Sequence, residues 1–310
     1  MAVTTLSGVY PILATPFRAN LAVDVEDLAR LIDFIVAGGA DGIVFPGVAS
    51  EFETLEAAER THLVDVVAAH VAARIPLVVG VSGTDGATAA SHAAQARAVG
   101  AVAVMAVAPA PLAGHKSAIR DYYAQVAAEG LPLILQNAPP PAGCALSADD
   151  VIDLAATIEG IRYVKEETLP CGQRITRILA AKLPALAGVF GGAGGRYITD
   201  ELARGACGTM PACEMTDLHA RQFALHRAGD TAGVRRLYYR MLPLLNFQAV
   251  FRMAMTKEVL RARGIIASTG VRAAGPQLDA GDRLELAKLL NDIADLLPGN
   301  GVSAESLRPR

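Results

Sequence analysis

The segment Gly160-Ile161-Arg162-Tyr163-Val164-Lys165-Glu166-Glu167 ends an apolar run with a lysine and two carboxylates. Gly160 and Pro170 bound it, and β-branched and aromatic residues fill it, so it predicts a short strand. A lysine at the end of a buried strand is costly unless it is paired or neutral. Desolvation favours the free amine, a nucleophile that can form an imine with a ketone. A lysine that merely snorkels to solvent from a strand end fits the same residues. Side chains alternate along a strand, so residues two apart share a face. If the backbone stays extended, Glu167 follows Lys165 and Glu166 points away. A carboxylate beside an imine-forming lysine can serve as general acid or base. As a plain ion-pair partner it would have a structural role instead.

Elements must position such a group, and the chain supplies them in alternation. Strand-like apolar runs fall at 8–14, 42–46, 77–81, 101–106, 131–136, 161–165, 186–190 and 208–211. Amphipathic, Ala-rich segments separate them near 24–37, 56–73, 86–99, 115–129, 147–157, 172–182 and 195–204. The strand runs are almost continuously apolar, as expected of parallel strands covered by helices. About eight such units predict an α/β fold of the (β/α)8 TIM-barrel type, whose typical size is about 250 residues. After the eighth strand the periodicity turns helical at 217–228, 230–245, 247–263 and 282–297. The expected organisation is a barrel over residues 1–215 and an appended C-terminal helical region over 216–310. A doubly wound open sheet is the competing architecture, but no GxGxxG opens a first helix.

Composition removes several other classes. The chain has 310 residues, 52% of them hydrophobic and 19% charged, with a net charge of −3, enough for a sizeable core. That balance gives no electrostatic case for nucleic acid. No apolar run reaches the ~18 residues of a membrane span. Met1-Ala2-Val3-Thr4-Thr5 has neither a basic region nor a secretory apolar core, so the expected location is cytoplasmic. Cys144, Cys171, Cys207 and Cys213 lie far apart without a CxxC, which suits reduced thiols and argues against structural zinc. None of the six histidines forms an HExxH, and we expect neither metal nor cofactor.

In a barrel, the C-terminal ends of the strands face the active site. Lys165 ends the sixth strand. The second runs into Gly47-Val48-Ala49-Ser50-Glu51, the fifth into Gln136-Asn137-Ala138-Pro139, and the seventh into Gly191-Gly192. Gly191 and Gly192 permit close backbone approach to a ligand, or form a plain turn. Ser50 is placed to donate to a carboxylate or hydroxyl, or to cap the next segment. Glu51 is expected to be buried and hydrogen-bonded within its loop. His115 opens the helix after the fourth strand and is a candidate for substrate contact.

These residues carry a family likeness along essentially the whole chain. The opening Gly8-Val9-Tyr10-Pro11-Ile12-Leu13-Ala14-Thr15-Pro16-Phe17, the Gly47-x-x-x-Glu51 loop, Asn137-x-Pro139, Lys165 in a Val-Lys-Glu setting, and Gly191-Gly192 resemble the dihydrodipicolinate synthase / N-acetylneuraminate lyase family of Schiff-base barrels. The resemblance implies that Lys165 forms an imine with a 2-oxo acid. It also implies that the Val48 and Ala49 amides hold the substrate carboxylate, and that the protein is a homotetramer.

The departures narrow the expected activity. The family usually has tyrosine, its proton relay, where this chain has Gln136. The synthase arginine for the second carboxylate matches Pro141. The two carboxylate-loop threonines match Val48 and Ala49, and the aromatic pair after the fourth strand matches Ala108-Pro109-Ala110. Dihydrodipicolinate synthesis is therefore not expected. Gln136, Asn137 and a Val-Lys-x-Glu strand look like the 2-keto-3-deoxyarabonate dehydratase branch. The expected catalytic residues are Lys165, Glu167 and Gln136. Val48, Ala49, Ser50, Asn137, Gly191, Gly192 and His115 are the expected substrate contacts. The favoured activity is dehydration of a 2-keto-3-deoxy sugar acid. A pyruvate-dependent aldolase and a non-catalytic 2-oxo acid binding paralogue are the alternatives.

Overall fold

A computed structural model of the chain describes residues 5–297. The outermost residues of the expected barrel and C-terminal region, 1–4 and 298–310, lie outside that range. Eight parallel strands run β1 (Gly8–Val9), β2 (Ile43–Phe45), β3 (Leu77–Gly80), β4 (Ala103–Ala106), β5 (Leu133–Asn137), β6 (Ile161–Glu166), β7 (Gly188–Gly191) and β8 (Gly208–Thr209). The sheet order is β1-β8-β7-β6-β5-β4-β3-β2. Ile12 forms parallel bridges to both Val44 and Ala212, so the two edges meet and the sheet closes into a TIM barrel.

The first and last strands are shorter than their apolar runs suggest. Pro11 and Pro211 have no N–H to give the ladder, so regular pairing stops before each of them. Their carbonyls still accept bonds from Val44 and Ile12, at 3.0 and 2.8 Å.

Two apolar layers follow from the alternation of strand side chains. Tyr10, Ile12, Val44, Val78, Met105, Ile134, Tyr163, Phe190 and Met210 fill the barrel interior. Residues of opposite parity, such as Phe45, Val79, Val104, Leu135, Val164 and Val189, pack outward against the helices. The ring comprises α1 (Val25–Ala37), α2 (Ala57–Val71), α3 (Gly86–Ala98), α4 (Lys116–Ala127), α5 (Ala148–Thr157), α6 (Cys171–Ala180) and α7 (Ile198–Ala203). It is completed by α8 (Thr216–Arg227), which lies against β1 and α1. Several helices start where a short acidic or hydroxyl side chain caps free N–H groups. Asp24 caps α1, and Ser147 and Asp150 form a capping box on α5.

Beyond the ring, α9 (Thr231–Ala262) and α10 (Ala280–Asn291) build a second apolar cluster. The sequence pattern divides α9 near residue 246. The chain instead continues through Pro243, and the irregular residue is Arg252, with φ 47°. No helix among the described residues is long and apolar enough to cross a membrane.

A buried charge network ties α9 to the mouth of the barrel. Lys257 Nζ donates to Glu51 Oε1 at 2.5 Å, and neither side chain is exposed. The same ammonium donates to Gly270 O at 2.6 Å and lies 4.1 Å above the centre of the Phe17 ring. Glu51 Oε2 accepts from Arg272 N and Ala273 N, each at 2.7 Å. Glu51 is thus buried as expected, but its side-chain partners lie on α9 and in the segment between α9 and α10, not in its own loop. Burial lowers the pKa of Lys257, and Glu51 acts against that shift.

Removing one member of a buried pair strands the other charge, at a cost of about 3–5 kcal/mol. Lys257→Met and Glu51→Gln are each expected to lose that much in urea unfolding. The double variant is expected to lose less than the sum, because the two side chains interact. Strict additivity would show that the pair contributes nothing as a pair.

Candidate active site

The register of the central strands sets the site. Gln136 on β5 pairs with Lys165 on β6, which pairs with Phe190 on β7. Lys165 therefore sits on the inward face, directly above Tyr163, and its side chain is 4% exposed. Glu166, one residue on, faces the helices. It accepts two bonds from Asn137 Nδ2, at 3.1 and 2.9 Å, and pairs with Arg174 of α6 at 3.2 Å. Burial raises the pKa of Glu166, while Asn137 and Arg174 act in the opposite direction.

Glu167 comes back to the barrel mouth. Its N–H donates to Asn137 O at 3.0 Å, which keeps the chain extended past the end of β6. Its Oε1 lies 3.2 Å from Lys165 Nζ and accepts from the Ala193 N–H at 3.1 Å. Its Oε2 accepts from Gln136 Nε2 at 2.6 Å. Burial works against the charged form of Glu167. The Lys165 ammonium, the Gln136 amide and the Ala193 N–H together outweigh burial and hold the carboxyl below its ordinary value.

The loop after β2 forms a neighbouring wall. Val48–Ser50 make a 3₁₀ turn in which Ser50 N donates to Gly47 O at 2.8 Å and Glu51 N to Val48 O at 3.1 Å. The Val48 and Ala49 N–H groups start the turn and have no acceptor within it. Gln136 shares one cleft with Gly47, Val48, Phe52 and Met105, so the loop and the polar cluster face a common space.

Gly192 stands on the third side, while Gly191, in register with Glu166, is turned toward α7 and away from it, contrary to expectation. Gly191 pairs with Glu166 and Thr209 across the sheet. At Gly192 a methyl group would stand 2.5 Å from Glu167 Cγ, so glycine leaves the glutamate room to reach Lys165.

Three further expected contacts are corrected. The Asn137 side chain lies outside the barrel wall, because Gln136 and Asn137 are adjacent on one strand and cannot both face inward. Its amide donates to Leu146 O and Glu166, and its carbonyl accepts from Leu146 N. The Ser50 hydroxyl is buried and committed: it donates to Leu13 O and accepts from Gly47 N. His115 stands exposed at the start of α4 and, among the described residues, contacts none of Lys165, Glu167 and Gln136.

Two tyrosines stand in the barrel interior, yet neither takes the place of the missing relay. Tyr163 turns its hydroxyl toward the opposite end of the barrel, where it accepts from Leu6 N at 2.8 Å. Burial, with Asp41 nearby, pushes the Tyr10 hydroxyl far above the usual phenol range. The contact that sequence reasoning missed is the Ala193 N–H. A backbone donor from the loop after β7 leaves no trace in residue type. Among the described residues, no group of three or more His, Cys, Asp or Glu side chains is placed to hold a metal ion.

Chemically, the cluster is a buried amine beside an ionised carboxylate, with an amide fixing the carboxylate and free backbone N–H groups across the cleft. Such a set suits imine formation and proton transfer on a small anionic ketone.

Known proteins share this arrangement of elements. The chain is 28% identical to L-2-keto-3-deoxyarabonate dehydratase of Azospirillum brasilense over 295 residues, 94% of this chain and 95% of that protein. It is 30% identical to 4-hydroxy-tetrahydrodipicolinate synthase of Pelodictyon phaeoclathratiforme over 275 residues, 84% and 92% of the two chains. The dihydrodipicolinate synthase structure from Rhodopseudomonas palustris superposes with a TM-score of 0.86 at 25% identity, covering 93% of this chain and 98% of that one. The model of the dihydrodipicolinate synthetase family matches residues 5–293. With eight parallel strands closed into a barrel and a lysine at the mouth of the sixth, the chain belongs to the dihydrodipicolinate synthetase family of lyases.

Proposed function

We propose that the protein dehydrates a 2-keto-3-deoxy sugar acid through an imine on Lys165. The observation that carries this reading is the Lys165–Glu167–Gln136 cluster. An ionised carboxylate lies 3.2 Å from the amine, and an amide stands where the family has its tyrosine. The similarity to L-2-keto-3-deoxyarabonate dehydratase over nearly the full length of both chains supports the same substrate class.

Substrate carboxylate binds the Val48 and Ala49 N–H groups, which presents the C2 ketone to Lys165. The amine adds to C2, and loss of water gives a protonated imine. That positive charge is an electron sink which acidifies C3. Glu167, ionised and beside the imine, takes the C3 proton and leaves a neutral enamine. With the positive charge gone, the new carboxylic acid gives its proton to the C4 hydroxyl, which departs as water. Tautomerisation carries the unsaturation outward, and hydrolysis restores the lysine. From a five-carbon substrate the product is 2,5-dioxopentanoate. Gln136 does not titrate; it holds Glu167 in place through the 2.6 Å bond.

Three measurements check this reading. Incubation with pyruvate and borohydride is expected to fix an adduct on Lys165, found by mass spectrometry. An adduct on Lys116, Lys182, Lys257 or Lys288 instead would refute it. Lys165→Arg is expected to abolish both adduct and turnover, since a guanidinium is not a usable nucleophile.

Glu167→Gln is expected to lower kcat by about 10²–10⁴-fold on a panel of 2-keto-3-deoxy acids, with the imine trap intact. Near wild-type turnover would remove Glu167 from the acid–base role. Pyruvate plus an aldehyde fragment as products would show retro-aldol cleavage in place of dehydration.

Condensation of pyruvate with aspartate semialdehyde is not expected, because Gln136 and Pro141 stand where the synthase branch has tyrosine and arginine. A rate in the ordinary enzymatic range, about 10 per second, would contradict this.

A further inference from the structure

Gly191 and Gly192 stand between two glutamates. Glu167 presses on Gly192 from the mouth of the barrel, where a methyl group would meet its side chain. Glu201, on α7, fills the space that the missing Gly191 side chain leaves, and a methyl group there would overlap its carboxyl. Two consecutive glycines thus bring two carboxyl groups up to one turn of backbone, each from its own side.

The two environments differ. Glu167 has an ammonium, an amide and a backbone N–H. Glu201 is fully buried, and neither of its carboxyl oxygens completes a hydrogen bond. The Cys171 thiol and the Gly192 N–H are the polar groups close enough to act on it. No cation pairs with Glu201 among the described residues, and an ion left in such a place costs several kcal/mol. A buried carboxyl in that position keeps its proton.

We propose that Glu201 is a positioning residue: an uncharged acid behind Gly191 that keeps the imine-forming end of the barrel competent, and whose ionisation suppresses Lys165 through the double glycine. The proposal rests on the reading of Lys165 as the imine residue and Glu167 as its partner. A second negative charge behind Gly191 has one direction of effect on each step that precedes the chemistry. It repels the anionic 2-oxo acid. It also favours the ammonium form of Lys165, which is not a nucleophile. And it draws on the Gly192 N–H, next to the Ala193 N–H that holds Glu167.

Other groups facing Glu201 do not provide this switch. Burial pushes the Glu201 carboxyl up to about 8, and the charges of Glu167 and Asp200 add to that. Cys171, on α6, is pushed up to about 12 by burial and then by Glu201 itself, so it stays a thiol while Glu201 titrates. Tyr238, on α9, is raised by burial and stays neutral over the same range. Asp200 lies on the surface of α7 and pairs with Arg204 at 2.8 Å.

The test has two arms. In protein labelled with carboxyl-¹³C glutamate, the Glu201 resonance is expected to titrate above pH 6, as is that of Glu214, which burial pushes up to about 7. Glu201→Gln removes one of them, and Glu214 serves as the internal control. In the second arm, pyruvate and cyanoborohydride give the rate of Lys165 adduct formation between pH 6.5 and 9.5. The ratio of the Glu201→Gln rate to the wild-type rate is expected to rise about three- to tenfold across that range. Glu201→Leu, also uncharged, gives the same rise and covers the case in which the amide variant fails to fold. A flat ratio, or a wild-type Glu201 carboxyl that has finished titrating below pH 6, overturns the proposal. Absence of any Lys165 adduct in either protein would instead overturn the imine reading beneath it.

Discussion

An ammonium withdrawn from water at the inner end of a strand must find a counter-charge within reach, and Lys165 finds Glu167 at 3.2 Å. Much of the barrel mouth follows from that requirement. The chain must stay extended for one residue beyond β6, which the Glu167 N–H bond to Asn137 O secures. The next loop must leave room for the carboxylate, which Gly192 does. A neutral donor must sit across the register, and Gln136 occupies that position with a 2.6 Å bond. Each partner stabilises the charged form of Glu167 against its own burial, so the carboxylate is fixed in place before any ligand arrives.

The outer surface of the same strands is also charged, and that surface is structural. Glu166, Asn137 and Arg174 satisfy one another behind the wall, with Leu146 as a further acceptor. They fix how β5 and β6 lie against each other, and therefore how Gln136 lies against Lys165. Around the corner, Glu51 and Lys257 fasten the loop after β2 to α9. The C-terminal helices are thus part of what holds the loop that carries the Val48 and Ala49 N–H groups in place.

Much of this was legible in the sequence. Apolar runs of strand length between Ala-rich helical segments gave the barrel, and the strand period placed Lys165 and Glu167 on one face. The same period would have excluded Asn137, since it follows Gln136 directly; family likeness outweighed geometry at that residue. The Ser50 hydroxyl departs from expectation for another reason. A hydroxyl in a tight turn goes to whichever carbonyl the turn brings near, here Leu13, and that depends on tertiary folding. The pairing of Glu51 with Lys257 spans 206 residues, and such contacts leave no local pattern to read. Pro11 and Pro211 shorten the first and last strands for a reason visible in the sequence, the missing N–H, that an apolar count alone overlooks.

The aromatic floor of the barrel bears on traffic. Beneath Lys165, Tyr10 packs edge to face on Phe190 and Tyr163 lies tilted against it, with ring centres 5.6 and 5.8 Å apart. With Met105, Ile134 and Met210 they close the interior from below. Among the described residues, packed side chains thus bar approach to the lysine from below. On the reading proposed above, whatever enters to meet the lysine leaves again through the mouth of the barrel. Under that reading arrival and departure share one route, and a lingering product would occupy the seat that the next substrate needs.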